Sequence, residues 1–215
     1  MRRIATIIGL IIGIAGLGID FAEIVPAMLV AGAAGPARSF PDVFIYFWTF
    51  FTHLTNLGLL LVYVATLSGW RWLGWFARPR TMAAMGAYIL LVMIYYYVML
   101  SGLYEMQGGL LVATWLLHYV APVYYLVWWG LFAPHPRLRF TEIPWMLGIG
   151  IVYVAWVLVR GLFANEYPYD ILDPNKLGYA GVAMGVASLL VMIVVFCIVM
   201  VGADKLIGSV KSPSR

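Results

Sequence analysis

A polar segment inside an otherwise apolar stretch of the chain offers a candidate nucleophile. Thr49, Thr52 and Asn56 are spaced at i, i+3 and i+7, so one continuous helix would present them on one face, with Thr55 at its edge. His53 would point about 100° away from Thr52 and would pack or assist there. A threonine hydroxyl attacks an ester only when a base lies within hydrogen-bonding distance. Without a base, threonines in a span more often bond to the carbonyl four residues earlier or join two helices.

His118 is the candidate base, because an ionisable side chain inside an apolar span indicates function as readily as an interhelical hydrogen bond. Pro122 follows four residues later and has no N–H, so we expect a kink that leaves the His118 carbonyl without its helical partner. Counted along their helices, Thr52 and His118 lie about 16 and about 14 Å from the outer ends of their spans. The hydrocarbon core is about 30 Å thick, so both side chains are predicted near its middle.

The composition indicates that lipid is the solvent of this chain. Of its 215 residues 64% are apolar and 10% are charged, the net charge is +4 and the mean hydropathy is +0.96. A soluble domain contains about 45–50% apolar and about 25% charged residues. The composition therefore excludes a soluble globule, a disordered chain and a nucleic-acid-binding domain, and it predicts an integral membrane protein.

Six apolar stretches are long enough to cross the hydrocarbon core, which requires about 20 residues each. Short connectors that contain proline or glycine separate them. We therefore expect an all-α bundle of six transmembrane helices, formed by a single domain over residues 1–215. The predicted spans are residues 4–24, 41–67, 82–101, 109–131, 143–163 and 178–201.

The distribution of basic residues predicts the orientation of the spans. Ten of the 13 Lys and Arg residues lie at one set of helix ends, two lie at the opposite set, and Arg160 lies inside a span. Cytoplasmic ends carry the excess of Lys and Arg, so we expect both termini in the cytoplasm. Trp70, Trp72 and Trp75 would anchor the chain at the inner interface.

Three charged residues form a second polar level, nearer the outer ends of their spans. An ion pair of Arg160 with Asp20 or Glu23 would neutralise charges that lipid does not tolerate alone. In the alternative interpretation, Arg160 meets the carboxylate of a lipid at the mouth of the site. His135 lies between two prolines in an inner loop, and we expect it to be exposed.

The remaining residues argue against a metal or another cofactor. Cys197 is the single cysteine, which excludes an internal disulfide and a zinc-binding cysteine cluster, and no carboxylate lies near His118 in its span. Polar groups at mid-depth also suit a transporter of lipids or small molecules, although no inverted repeat is visible. A non-catalytic lipid-binding membrane protein is the other alternative.

Short motifs occur along the chain in an order typical of one family. They read Phe-Thr-His-Leu-Thr-Asn-Leu at 51–57, Leu-Leu-His-Tyr-Val-Ala-Pro at 116–122, Val-Tyr at 152–153, Val-Arg-Gly at 159–161 and Tyr-Pro-Tyr-Asp-Ile-Leu-Asp at 167–173. Together, over residues 39–204, they resemble the bacterial Pr6Pr-type membrane proteins. These belong to one superfamily with the androgen-induced protein and the androgen-dependent TFPI-regulating protein.

The resemblance implies a threonine hydrolase that works inside a membrane, here the inner membrane of a bacterium. Animal members of the superfamily cleave fatty acid esters of hydroxy fatty acids with a threonine and a histidine. By this likeness Thr52 is the nucleophile and His118 the base, with Thr55 as the competing nucleophile. The lipid ester would enter from the bilayer, through a cavity between the second and fourth spans that opens to the outer leaflet.

Such a reaction also needs hydrogen-bond donors for the negative oxygen of the tetrahedral intermediate. Asn56, Tyr119 and Tyr96 are the candidates, and Arg160 is a further candidate for contact with the substrate.

Overall fold

The structure is a computed structural model that describes residues 1–32, 35–103 and 105–211, and over these residues it is helical, without a β-strand. Six of its helical segments are long and apolar enough to cross a membrane. The chain is thus an integral membrane protein with the predicted all-α, six-span fold. In chain order the elements are α1 (Arg2–Leu29), α2 (Phe40–Phe47), α3 (Phe51–Ser68), α4 (Pro79–Tyr95) with a π turn (Tyr96–Leu100), α5 (Gly108–Trp115) with a π turn (Leu116–Val120), α6 (Ala121–Phe132), α7 (Ile143–Ala164) and α8 (Pro174–Lys211).

The helices form two compact units. The first, Met1–Pro134, contains α1–α6, and the second begins at His135 and contains α7 and α8. Most helix boundaries lie within a few residues of the predicted spans. The exceptions are α1, which continues through Pro26 to Leu29, and α8, which runs from Pro174 to Lys211 with an interruption at Gly178 (φ 66°).

The prediction of one continuous helix over residues 41–67 is wrong, because the chain breaks between α2 and α3 at residues 48–50. The break coincides with His53, whose Nδ1–H donates to the Phe47 carbonyl at 2.5 Å and whose ring stacks on the Phe47 ring at 3.9 Å. A side chain that inserts into the helical hydrogen-bond ladder kinks the helix at that point.

The break changes which threonines share a helix face. Thr52 becomes the second residue of α3, whereas Thr49 lies in the break, and its hydroxyl donates to the Ile45 carbonyl at 2.7 Å. The expected common face of Thr49, Thr52 and Asn56 is therefore wrong for Thr49, and only Thr52 and Asn56 retain it.

Close packing of α1 brings together the elements that carry the candidate residues. A β-carbon at Gly9 would lie 2.5 Å from Cζ of Tyr63 on α3, and one at Gly16 would lie 2.8 Å from Cδ2 of Leu117 in the second π turn. Glycine leaves room for these side chains against the backbone of α1, and small residues at such contacts let helices pack closely in lipid. One face of α1 therefore contacts both α3, which contains Thr52, and the π turn that contains His118.

In the second unit, a buried carboxylate accepts hydrogen bonds from the loop that precedes α7. Asp204 on α8 accepts hydrogen bonds from His135 Nδ1–H at 2.6 Å and from the backbone N–H groups of Arg137 and Leu138 at 2.8 Å. The His135 side chain is 0% exposed, so the expectation that it is exposed is wrong. A carboxylate removed from solvent needs several donors, and His135 is one of them.

Arg160 and Asp20, which the sequence suggested as partners, each bind a different side chain within their own unit. Arg160 Nη2–H donates to Glu166 Oε2 at 2.7 Å, and Asp20 is bonded to His53 in the first unit. The chain turns back at the end of α7 because Asn165 adopts a left-handed conformation (φ 50°), and this reversal brings Glu166 onto the guanidinium.

Candidate active site

The Thr52 hydroxyl and the His118 imidazole meet within the first unit, as the sequence predicted. Thr52 Oγ1 lies 3.3 Å from His118 Nε2. His118 Nδ1 lies 3.1 Å from the Thr114 carbonyl, which can only accept, so Nδ1 must carry a proton. In the neutral ring, Nε2 is then the acceptor, and the Thr52 hydroxyl donates to it. The carbonyl thus holds the histidine in the tautomer that a base facing Thr52 requires.

His118 lies at the centre of a π turn rather than at a simple kink. The N–H of Ala121 donates to the Leu116 carbonyl, five residues earlier, instead of to Leu117. Pro122 has no N–H to offer either to the His118 carbonyl, as the sequence predicted, or to the Leu117 carbonyl, which Ala121 leaves without a helical donor. π turns inside α-helices occur frequently at functional sites.

Asn56 supplies the missing donor and links the two halves of the site. Its side-chain N–H groups donate to the Thr52 carbonyl at 2.9 Å and to the Leu117 carbonyl at 3.3 Å. The side chain is buried, and its Oδ1 has no hydrogen-bond partner among the described residues. Asn56 therefore offers an acceptor to the site, whereas the sequence suggested it as a donor to an oxyanion.

The first turn of α3 offers backbone donors close to Thr52. The first helical hydrogen bond runs from the Leu54 N–H to the Phe50 carbonyl at 3.2 Å. The N–H groups of Thr52 and His53 precede that bond and have no acceptor in the part of the chain that the structure describes. They lie at the positive end of the helix dipole, where a negative charge is stabilised. Sequence reasoning missed these donors because it predicted Thr52 in the middle of a helix.

Aromatic side chains pack in series on one face of the His118 ring. Tyr96, in the π turn that follows α4, stacks on the His118 ring at 4.0 Å, and Tyr119 contacts Tyr96 edge-on at 5.7 Å. Trp115 packs on Tyr119 at 5.0 Å and is 56% exposed. A continuous series of aromatic rings therefore leads from the exposed surface of the first unit to the imidazole.

A second histidine, His53, forms a buried pair with Asp20. His53 Nε2 lies 2.7 Å from Asp20 Oδ2, and Nδ1 donates to the Phe47 carbonyl. Because Nδ1 already carries a proton, the contact with Asp20 holds one more proton between nitrogen and oxygen, and the pair as a whole is neutral. A histidine and an aspartate inside spans each require a polar partner, and this requirement is the signal in the sequence that indicates the pair.

The other predicted residues do not meet His118 in this arrangement. Thr55 is buried on α3 and makes no hydrogen bond to a histidine among the described residues. Arg160 lies in the second unit, with Glu166 as its partner. Within the described ranges there is no group of three or more His, Cys, Asp or Glu side chains that could hold a metal ion.

No family model, curated protein or solved structure matches the chain.

Proposed function

We propose that the protein is an intramembrane hydrolase of lipid esters, with Thr52 as the nucleophile and His118 as the general base. The single observation that carries the proposal is the hydrogen bond between Thr52 Oγ1 and His118 Nε2, in a tautomer that the Thr114 carbonyl enforces. A threonine becomes a nucleophile when an adjacent base removes its proton, and a neutral imidazole is the usual base.

In the proposed acylation, Thr52 Oγ1 attacks the ester carbonyl while its proton passes to His118 Nε2. The bond to the alcohol oxygen breaks, His118 returns the proton to that oxygen, and the alcohol leaves. The acyl group remains on Thr52. The negative carbonyl oxygen of the intermediate would lie against the N–H groups of Thr52 and His53, which have no other acceptor among the described residues.

The surroundings of His118 favour a substrate that arrives from the bilayer. Val98 and Met99, which follow Tyr96 in the first π turn, are 66% and 54% exposed, and Trp115 is exposed as well. Exposed apolar side chains on a membrane-spanning unit face lipid. An acyl chain that lies along Trp115 and Tyr119 reaches the imidazole without crossing polar surface, and this is consistent with an ester that has at least one long acyl chain.

The experiment that tests the function is turnover of a panel of lipid esters by the purified protein in nanodiscs. The panel includes fatty acid esters of hydroxy fatty acids, long-chain monoesters and short water-soluble esters. We expect hydrolysis of the long-chain substrates, and loss of turnover in Thr52→Ala and in His118→Ala. Thr66→Ala is the matched control, because Thr66 also lies on α3 and its hydroxyl donates only to the Val62 carbonyl at 2.8 Å.

Two results would contradict the proposal. The first is hydrolysis by the Thr52→Ala variant at the rate of the parent protein. The second is transport of an ester across liposomes without any cleavage, which would make the site a permeation site. Thr55→Ala tests the competing nucleophile, and we expect it to retain turnover.

The proposal includes the placement in the cell. We propose a bacterial inner membrane with both termini in the cytoplasm, on the basis of the Lys and Arg distribution. Labelling of cysteines introduced near Met1 and near Asp42 with a membrane-impermeant maleimide tests the orientation. Labelling near Asp42 alone in intact cells is the expected result, and labelling near Met1 alone would reverse the orientation.

A further inference from the structure

Asn56 carries a buried acceptor that the proposed acylation does not use. The residue is 1% exposed, both of its N–H groups are bonded to carbonyls, and Oδ1 has no partner among the described residues. The opposite assignment of the amide would point its oxygen at two carbonyl oxygens, which repel it, so the orientation follows from the hydrogen bonds themselves. A buried polar atom left without a partner costs free energy, and in native proteins such an atom usually marks a bound water or a functional role.

The position of this oxygen is set by the two elements of the candidate site. Asn56 follows Thr52 by one helical turn, so the β-carbons of the two residues lie about 5–6 Å apart. The same amide contacts the Leu117 carbonyl, and Leu117 directly precedes His118. The Asn56 side chain therefore lies beside both the turn that begins α3 and the turn that contains His118, where a water molecule must lie to attack an acyl group on Thr52.

We propose that Asn56 Oδ1 holds the water molecule that hydrolyses the acyl-Thr52 intermediate. This inference rests on the proposed function and deepens it, since it assigns a group to the second half of the reaction. The chemistry that the oxygen recognises is an O–H donor. The oxygen is enclosed, so the donor must be as small as a water molecule. A buried water needs two to four polar partners, and Asn56, Thr52 and His118 together provide them.

In the proposed deacylation, the water molecule is held by Asn56 and activated by His118. The water donates one hydrogen to Asn56 Oδ1 and the other to His118 Nε2. Its oxygen attacks the acyl carbonyl as the second proton passes to His118. The bond between the acyl carbon and Thr52 Oγ1 then breaks, and His118 returns the proton to Oγ1. The fatty acid leaves, and Thr52 and His118 are restored. Asn56 remains unchanged and acts by positioning.

The experiment separates the two half-reactions of the enzyme. The protein in nanodiscs is mixed with p-nitrophenyl decanoate in a single turnover. Release of p-nitrophenolate measures acylation, and intact-protein mass spectrometry measures the decay of the acyl adduct. Asn56→Leu removes the acceptor at similar volume. Asn56→Asp retains an acceptor oxygen and, as a neutral acid at this buried position, has one O–H donor in place of the two N–H donors of Asn56. Because decay is measured on the adduct already formed, slower acylation in a variant does not affect it.

We expect the adduct of the Asn56→Leu variant to persist on the order of 10²-fold longer than that of the parent, and the Asn56→Asp adduct to decay at nearly the parent rate. Decay at the parent rate in Asn56→Leu would overturn the inference. Equal persistence in both variants would overturn it as well, because the lost N–H donors would then be responsible. Absence of any adduct in the parent protein would instead reject the proposed function, and the two failures are therefore distinguishable.

NMR on the parent protein tests the same water molecule without the Asn56→Leu variant, which is needed if that variant does not fold. We expect the Asn56 side-chain amide protons to show NMR cross-relaxation with a long-lived bound water, and Thr52→Ala to retain it. An amide without such a water would overturn the inference.

Discussion

Asn56 donates one side-chain N–H to the Leu117 carbonyl at 3.3 Å and thereby ties the helix that begins at Thr52 to the turn that contains His118. The same amide donates to the Thr52 carbonyl at 2.9 Å. The acceptor in this tie exists because Pro122 and the π turn leave the Leu117 carbonyl without a helical donor. The irregularity of the fourth span is thus part of what holds the hydroxyl and the imidazole together.

Restoring an N–H at position 122 tests this relationship. Pro122→Ala supplies a donor that allows a regular α-helix, which would compete with Asn56 for the carbonyls of the turn and rotate His118 away from Thr52. We expect ester turnover to fall by about tenfold or more, with no loss of thermal stability. Pro79→Ala is the control, because Pro79 lies at the start of α4, where the missing N–H leaves no helical bond unmade. Unchanged turnover in Pro122→Ala would show that the π turn does not position the histidine.

The contact of Gly16 with Leu117 provides a second test of positioning. A β-carbon at Gly16 would lie 2.8 Å from Leu117 Cδ2, whereas one at Gly18 on the same helix would meet no atom within 4 Å. Gly16→Ala therefore displaces the buried Leu117 side chain and crowds Leu116 Cβ, 3.2 Å away, and we expect a lower melting temperature and reduced turnover. Gly18→Ala removes a poor helix former from an open position and should leave both unchanged or slightly improved. Equal behaviour of the two variants in a thermal melt would contradict the described packing.

The Asp20–His53 pair predicts a difference between two substitutions at one position. Asp20→Asn retains a donor to His53 Nε2, so the hydrogen bond persists and the break between α2 and α3 keeps its geometry. Asp20→Leu leaves His53 with a buried nitrogen that lacks a partner, which costs about 1–3 kcal/mol. Chemical denaturation should show a large loss of stability for leucine and a small one for asparagine. A similar loss in both would mean that the charge, not the hydrogen bond, is required.

Features of the fold that depend only on neighbouring residues were predicted from the sequence, whereas features that depend on residues of another helix were missed. The six spans follow from hydropathy alone, since each spanning segment must be apolar regardless of its neighbours. The meeting of Thr52 and His118 followed from their similar depth and from the family resemblance. The break before Thr52 was missed because residues 47–51 contain no proline or glycine. It involves His53 and Asp20, and Asp20 comes from another helix.

Partner choice for charged side chains was the least predictable feature. Asp20 and Arg160 looked complementary by depth, yet Arg160 binds Glu166 and Asp20 binds His53. Both outcomes depend on backbone geometry that hydropathy does not encode, namely the left-handed Asn165 and the break after Phe47. Pro122 correctly indicated an irregular helix, but the sequence did not predict the π turn, which leaves the Leu117 carbonyl without a helical donor as well.

The buried Asp204 predicts a stability effect in the second unit that is separate from the site. Asp204→Ala removes the acceptor from His135 and from two backbone N–H groups, and each buried donor left unpaired costs about 1–3 kcal/mol. We expect a clear drop in the melting temperature. Asp173→Ala, where the half-buried carboxylate accepts a single bond from the Asn175 N–H at the start of α8, should cost less, about 1 kcal/mol. A small effect of Asp204→Ala would show that the loop at 135–138 does not need this anchor.

Identification of the acylated atom is the most direct test of Thr52 as the nucleophile and His118 as its base. The parent protein is treated with an irreversible lipid-like acylating or fluorophosphonate probe, digested, and mapped by tandem mass spectrometry. We expect one modified residue, Thr52. The modification should be lost in Thr52→Ala, strongly reduced in His118→Ala and retained in Thr55→Ala. A modified Thr55 or another residue, or full modification of the Thr52→Ala variant, would contradict it.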